Sequence, residues 1–170
     1  CPDLKQAAHI WAVSTSSCLY DSNSGREVRG IGGQRIYIVV ANGADIPRAG
    51  MVIFMRLWLA GFGHVKISKA GSLLVRSIVD NCVWQTNRID YVAAPTCESP
   101  LVSRKPAPEL LGAPMLCLDT KVALPDFTAE ERANYEALVT AAKSAKEGEA
   151  REVRERYIAE RVAKLIDQGV

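Results

Sequence analysis

Residues 30–68 read GIGGQRIYIVVANGADIPRAGMVIFMRLWLAGFGHVKIS, and this stretch decides the fold class. Gly30-Ile31-Gly32-Gly33 is a glycine-rich turn, and Arg35-Ile36-Tyr37-Ile38-Val39-Val40 after it has the β-branched and aromatic composition of a strand. That strand ends at Asn42-Gly43. From Ile46 the pattern changes: Val52, Phe54, Met55, Leu57, Trp58 and Leu59 are too dense for alternation and run too long for a strand. Pro47 suits a first helical turn, so 47–60 is predicted as a buried helix stopped at Gly61. After Gly63, His64-Val65-Lys66-Ile67-Ser68 alternates polar and apolar as a half-exposed strand does, and Ala70-Gly71 ends it. Strand, helix and strand in succession predict an α+β or α/β domain.

Outward from this centre, residues 8–20 begin as a strand and run into the small-polar cluster Ser14-Thr15-Ser16-Ser17, and Asp21-Ser22-Asn23-Ser24-Gly25 is turn chemistry. Residues 73–83 suit a helix or a strand equally, whereas Arg88-Ile89-Asp90-Tyr91-Val92 reads as a short strand. Six of the eight prolines fall within 95–125, which predicts a loop or wrapped linker with at most short strands. Thr128-Ala129-Glu130-Glu131 fits a capping box, so a helix is expected to start there, with Gly148 dividing the run to Ile166 into two helices or one kinked helix. Its apolar positions keep helical spacing, the pattern of an amphipathic pair packing on a core or on a neighbour. The expected organisation is a core over 1–94, a proline-rich linker over 95–125 and a helical extension over 126–170.

Composition narrows the function. The chain has 170 residues, 48% of them hydrophobic and 24% charged, which excludes disorder throughout. Net charge is only +2, but residues 1–125 carry 13 basic against 9 acidic side chains, while 126–170 carry 8 against 10, so the basic excess lies in front. Met51 to Val65, the most apolar stretch, is interrupted by Arg56 and His64 and is too short for a membrane span. The start Cys1-Pro2-Asp3 shows neither an initiator Met nor a signal-peptide pattern, and the expectation is a piece of a longer reading frame. Five cysteines, at 1, 18, 82, 97 and 117, form no C-x-x-C pair and read as reduced, mostly buried thiols of a cytoplasmic protein.

No nucleophile elbow, Walker loop or H-E-x-x-H motif occurs, and the two histidines, His9 and His64, define no triad. His64 reads as structural or solvent-facing. The informative pattern is Gly30-Ile31-Gly32-Gly33-Gln34-Arg35, where backbone N–H groups and one basic side chain can meet a phosphate; a flexible hairpin loop is the alternative. A second is Arg76-Ser77-Ile78-Val79-Asp80, followed by Arg88-Ile89-Asp90: an Asp at a strand end can hold a divalent cation while Arg side chains pair with phosphates. Surface capping and ion pairing remain the alternative for either Asp.

In order, Ser14-Thr15-Ser16-Ser17, Gly32-Gly33-Gln34-Arg35-Ile36-Tyr37, Asp45-Ile46-Pro47-Arg48, Arg56-Leu57-Trp58-Leu59-Ala60-Gly61, and Arg76-Ser77-Ile78-Val79-Asp80 through Arg88-Ile89-Asp90-Tyr91 resemble the archaeo-eukaryotic primase superfamily. The likeness is to its primase-polymerase-like proteins of bacterial plasmids and integrative elements, and it spans about residues 10–105. It implies an RRM-like α+β core, a mixed or antiparallel sheet with packed helices, plus the C-terminal helical extension. It also implies metal-dependent nucleotidyl transfer in the full-length protein, with Mg²⁺ or Mn²⁺ as cofactor and a nucleoside triphosphate and a DNA template as partners. Further domains of the same protein are the other expected partners, and no membrane is.

Carried over, the phosphate motif falls on Gly33-Gln34-Arg35, with Arg35 where the family has His. The metal-binding Asp falls on Asp80, with Asp90 as the competing placement. Asp80 is then the catalytic candidate, and Gly32, Gly33, Arg35, Ser16, Arg76 and Arg88 are the nucleotide-binding candidates. Ser17 would add hydrogen bonds, Lys66 and Lys69 would follow a template with Arg76 and Arg88, and Trp84, or Trp58 if it is not core, would stack bases. No D-x-D occurs in these residues, although transfer between two ions about 3.5–4 Å apart needs several carboxylates. A non-catalytic nucleic-acid-binding or replication-accessory module with a degenerate site is the rival expectation.

Overall fold

The computed structural model describes residues 4, 6–85, 87, 88, 90, 93–113 and 117–168. In chain order the first half runs β1 (His9–Val13), β2 (Leu19–Asp21), β3 (Glu27–Arg29), β4 (Gln34–Ile38), a 3₁₀ turn (Gly43–Asp45), α1 (Ile46–Leu59), β5 (Gly63–Ile67) and β6 (Leu73–Ser77). The second half adds β7 (Leu101–Ser103), β8 (Glu109–Leu111), α2 (Thr120–Ala123), α3 (Ala129–Ser144) and α4 (Glu147–Asp167). The fold is α+β with small antiparallel sheets. Contacts divide the chain into two compact units, each assembled from two stretches: residues 1–46 with 86–124, and 47–85 with 125–170. This grouping cuts across the division at 94 and 125 suggested by composition, because a proline-rich stretch can still supply strands to a sheet.

In the first unit β1 is central, pairing antiparallel with β4 (Ile10↔Tyr37, Ala12↔Arg35) and with β8 (Ile10↔Leu110). β2 is likewise flanked by β3 and β7. Since β2 follows β1 and β3 leads into β4, the two sheets form one three-stranded ribbon broken at a single level. Backbone bonds carry it across the break: Ser14 N–H to Gly33 C=O at 2.7 Å, Cys18 N–H to Gly30 C=O at 3.1 Å, and Arg104 N–H to Cys18 C=O at 2.9 Å. Cys18 takes φ = 56° at this break, a left-handed conformation uncommon for a residue other than glycine. Buried Asp45 accepts a hydrogen bond from the Thr120 hydroxyl.

The second unit is built on α1. Its buried residues Phe54 and Trp58 meet Val65 of β5, and Leu73 and Val75 of β6 pack against them, as the register Val65↔Val75 and Ile67↔Leu73 requires. Burial of a side chain such as Phe54 stabilises by about 1.5–3 kcal/mol. Tyr135, Val139 and Ala142 of α3 close this cluster, with the Trp58 and Tyr135 rings edge-on at 6.2 Å. At the β5–β6 turn Gly71 has φ = 74° and lies so close to α4 that a Cβ there would stand 2.5 Å from the Ala150 carbonyl oxygen. The Arg154 guanidinium donates to the Gly71 carbonyl at 3.1 Å.

Several expectations meet the structure directly. Helix α1 and strands β1, β4 and β5 form where predicted. Residues 73–77 resolve as strand because β5 offers an antiparallel partner and the Phe54 cluster takes their alternate side chains. The proposed strand at 88–92 lies largely on Ile89, Tyr91 and Val92, outside the described residues. The capping box at Thr128 is present in both directions. The helix break, however, falls at Ala145–Lys146 rather than Gly148, which sits inside the first turn of α4. Cysteine burial also differs: among the described cysteines only Cys18 is buried, Cys82 and Cys97 are half-buried and Cys117 is exposed. No helix among the described residues is long and apolar enough to cross a membrane.

Candidate nucleotide-phosphate site

The break in the first unit's ribbon brings the Ser14–Ser17 turn against the glycine turn. Ser17, fully buried, accepts a hydrogen bond from Gly32 N–H at 3.1 Å and shares another with the Ser14 hydroxyl at 2.8 Å. The turn is thus braced by the Ser17 hydroxyl, itself held by the Ser14 hydroxyl, and by the Ser14 N–H on the Gly33 carbonyl, as serines three apart allow. Neither Gly32 nor Gly33 needs a left-handed backbone, and a Cβ at Gly32 would make only ordinary contact, 3.5 Å from the Arg29 guanidinium. Their value is close approach to another group, not conformational freedom. Toward Gly30 the environment reverses, because the Glu27 carboxylate, held by the Tyr20 hydroxyl at 2.8 Å, fills the space beside it. An anion is therefore best met at the Gly32–Arg35 end.

Arg35 leaves the sheet on the same face as Tyr37, two residues along β4. Asp90 joins both: Arg35 Nε is 2.9 Å from Oδ1, and the Tyr37 hydroxyl donates to Oδ2. Burial, and then the Asp90 carboxylate, raise the Tyr37 phenol above its ordinary value near 10. Ser16 is exposed on the turn between β1 and β2, and Arg88 is exposed two residues before Asp90. Gly32, Gly33, Arg35, Ser16, Arg88 and Asp90 all belong to this unit.

Asp80 and Arg76 belong to the other unit. There Asp80 Oδ1 accepts the Cys82 N–H at 3.1 Å and lies 3.7 Å from Arg76 NH1, the turn-capping and ion-pairing geometry that the sequence left as the alternative to a metal ligand. Among the described residues no group of three or more His, Cys, Asp and Glu side chains gathers as a metal site would need. The donors present amount to one turn-capping carboxylate in one unit and one Arg-paired carboxylate in the other. That set falls short of a two-ion centre, and no transfer step follows from these residues alone.

Both tryptophans named for stacking are engaged in packing within the second unit. Trp58 is 4% exposed within the core, and Trp84 sets its edge against Phe54 at 6.5 Å and fills the space above Gly50. Ser14, Arg29 and Tyr37 join the site without having been named as site residues from sequence. The serine spacing was a signal for the first, whereas the other two depend on strand register. Comparison with known proteins returns nothing significant: no family model, no curated protein and no solved structure matches this chain.

Proposed function

We propose that this chain is part of a primase-polymerase-like replication protein of a mobile element, and that the Gly32–Arg35 end of the glycine turn binds the phosphates of a nucleoside triphosphate. The observation that carries the reading is the braced turn itself: two glycines without side chains, held by Ser14 and Ser17, next to the guanidinium of Arg29 and leading into Arg35. Guanidinium groups suit a polyanion, and the absence of side chains at Gly32 and Gly33 lets one approach closely, while the Gly32 N–H is held by Ser17. The resemblance assigns phosphate contact to the same three residues, Gly33-Gln34-Arg35. An RRM-like core for the full domain rests on the resemblance alone, with which an α+β chain of small antiparallel sheets is compatible. In this reading the phosphate contacts come from the first unit alone, while Asp80, the carboxylate that the resemblance names as metal ligand, belongs to the other unit.

A second reading, a non-catalytic nucleotide- or nucleic-acid-binding module, is favoured by one specific feature. Asp90 spends both carboxylate oxygens on Arg35 and Tyr37. A carboxylate so paired is a structural partner for arginine before it is a metal ligand.

Isothermal titration of the chain with a deoxynucleoside triphosphate, with and without Mn²⁺, tests the site. Gly32→Ala is the informative variant, because its Cβ meets nothing closer than 3.5 Å and the fold should be unchanged. The expected result is binding in the wild type that falls at least about tenfold in Gly32→Ala and in Arg35→Ala, a loss of about 1.4 kcal/mol each. Unchanged affinity in both variants overturns the site. Mn²⁺-dependent binding supports the first reading, and metal-independent binding supports the second.

A further inference from the structure

Asn42-Gly43 is the one Asn-Gly step in the chain; the other asparagines, at 23, 81, 87 and 134, precede Ser, Cys, Arg and Tyr. Both residues are exposed. Gly43 needs no left-handed backbone, and among the described residues nothing lies within 4 Å of where its Cβ would stand. Its value is access: without a side chain, its backbone nitrogen can be approached closely. The nearest electrophile is the side-chain amide of Asn42.

One segment clamps this turn on both sides. Before it, the Leu118 N–H donates to the Val39 carbonyl at 2.9 Å and the Leu118 carbonyl accepts the Ala41 N–H at 2.9 Å. After it, buried Asp45 accepts from the Thr120 hydroxyl. Between the two anchors Asn42 caps the 3₁₀ turn: its Oδ1 accepts the Ala44 N–H at 3.0 Å, and its carbonyl accepts the Asp45 N–H at 3.2 Å. The cap keeps the side-chain amide on Ala44 and not over the Gly43 nitrogen.

We infer that Asn42–Gly43 is a site of slow self-modification, gated by this clamp, with water as its co-reactant. When the cap opens locally, the Gly43 nitrogen attacks Asn42 Cγ. The N–Cγ bond forms, the Cγ–Nδ2 bond breaks, and the proton lost from Gly43 leaves on the departing ammonia, so that a five-membered imide remains. Water then opens the imide. Attack at Cγ yields aspartate at position 42, and attack at the main-chain carbonyl carbon yields the isomer whose backbone runs through the side chain. Aspartate keeps the cap, because Asp serves that position as well as Asn does. The isomer adds a carbon to the main chain between the anchors and puts the Leu118 pairing out of step with the Asp45–Thr120 bond. None of this uses the glycine turn at 30–33, and the nucleotide titration above succeeds or fails independently of it.

Peptide mapping by mass spectrometry of the full chain, incubated at mildly alkaline pH with and without urea, provides the test. The peptide holding Asn42 should gain the mass difference between an amide and an acid, at least about tenfold more slowly in the folded chain than in the unfolded one. Thr120→Val removes one anchor and should speed conversion severalfold in the folded chain while leaving the rate in urea unchanged. Gly43→Ala adds a Cβ that the fold accommodates, and by crowding the attacking nitrogen it should slow conversion severalfold in urea. An unmodified Asn42 in the unfolded wild type overturns the site, as does a Gly43→Ala rate equal to the wild type in urea. Equal rates in the folded and unfolded wild type overturn the clamp. So does an unaccelerated Thr120→Val whose thermal melt shows it folded.

Discussion

Tyr37 hangs its hydroxyl on Asp90, and through the same carboxylate it is tied to Arg35. Burial and the neighbouring negative charge both favour the protonated phenol, so its pKa in the folded chain lies above the ordinary value near 10. The sign of the linkage follows. Below about pH 10 the contribution is fully present, and it is lost as pH rises through the raised folded value. Spectrophotometric titration of phenolate absorbance should therefore show late-ionising tyrosines, Tyr20 and Tyr135 being raised as well, with one such phenol lost in Tyr37→Phe and ionising earlier in Asp90→Asn. An Asp90→Asn curve superimposable on the wild type would contradict the contact. Sequence reading found Arg35, because a basic residue opening a strand after a glycine turn is a local pattern. It left Asp90 undecided between metal ligand and ion pair, because its partners lie more than fifty residues back in the chain.

Elements were most legible where their signals are local. The box at Thr128 is an example: Thr128 Oγ1 accepts from Glu131 N–H at 3.1 Å, and the Glu131 carboxylate accepts the Thr128 N–H at 2.9 Å. Thr128→Ala removes one of these bonds and should cost about 1 kcal/mol, lowering the thermal midpoint by roughly 2–4 °C. Thr128→Ser should restore most of it, and circular dichroism melts of the three proteins decide the matter. The helix break was misplaced for a related reason. Glycine at 148 is tolerated in the first turn of α4, where few intrahelical bonds are at stake, and the chain turns instead at Ala145–Lys146. Residues 73–77 carried no decisive period of their own, and only the pairing with β5 makes them a strand.

At the scale of the whole chain, composition suggested a core followed by appended helices, yet the helices belong to a core. Tyr135, Val139 and Ala142 of α3 lie on Phe54, Trp58 and Val65, and α4 seats Ala150 and Arg154 against Gly71. The amphipathic spacing of the helices anticipated packing on a core but not on which residues, because the unit is discontinuous: its two halves are separated by the stretch that supplies β7 and β8 to the other unit. Removing residues 125–170 should therefore do more than shorten the protein. It strips the covering from Trp58, takes Asp126 from Arg48 and takes the Pro125 carbonyl from Arg56. Truncating buried contacts of this kind costs several kcal/mol, a large share of the 5–15 kcal/mol that holds a typical domain together. The shortened chain should lose the near-ultraviolet dichroism of Trp58 and Trp84 and shift their emission to the red, with Trp11 in the other unit replaced by Phe to isolate the signal. Wild-type dichroism and emission in the shortened chain would show instead that α1 and the β5–β6 hairpin hold their core alone, and that α3 and α4 are a true extension.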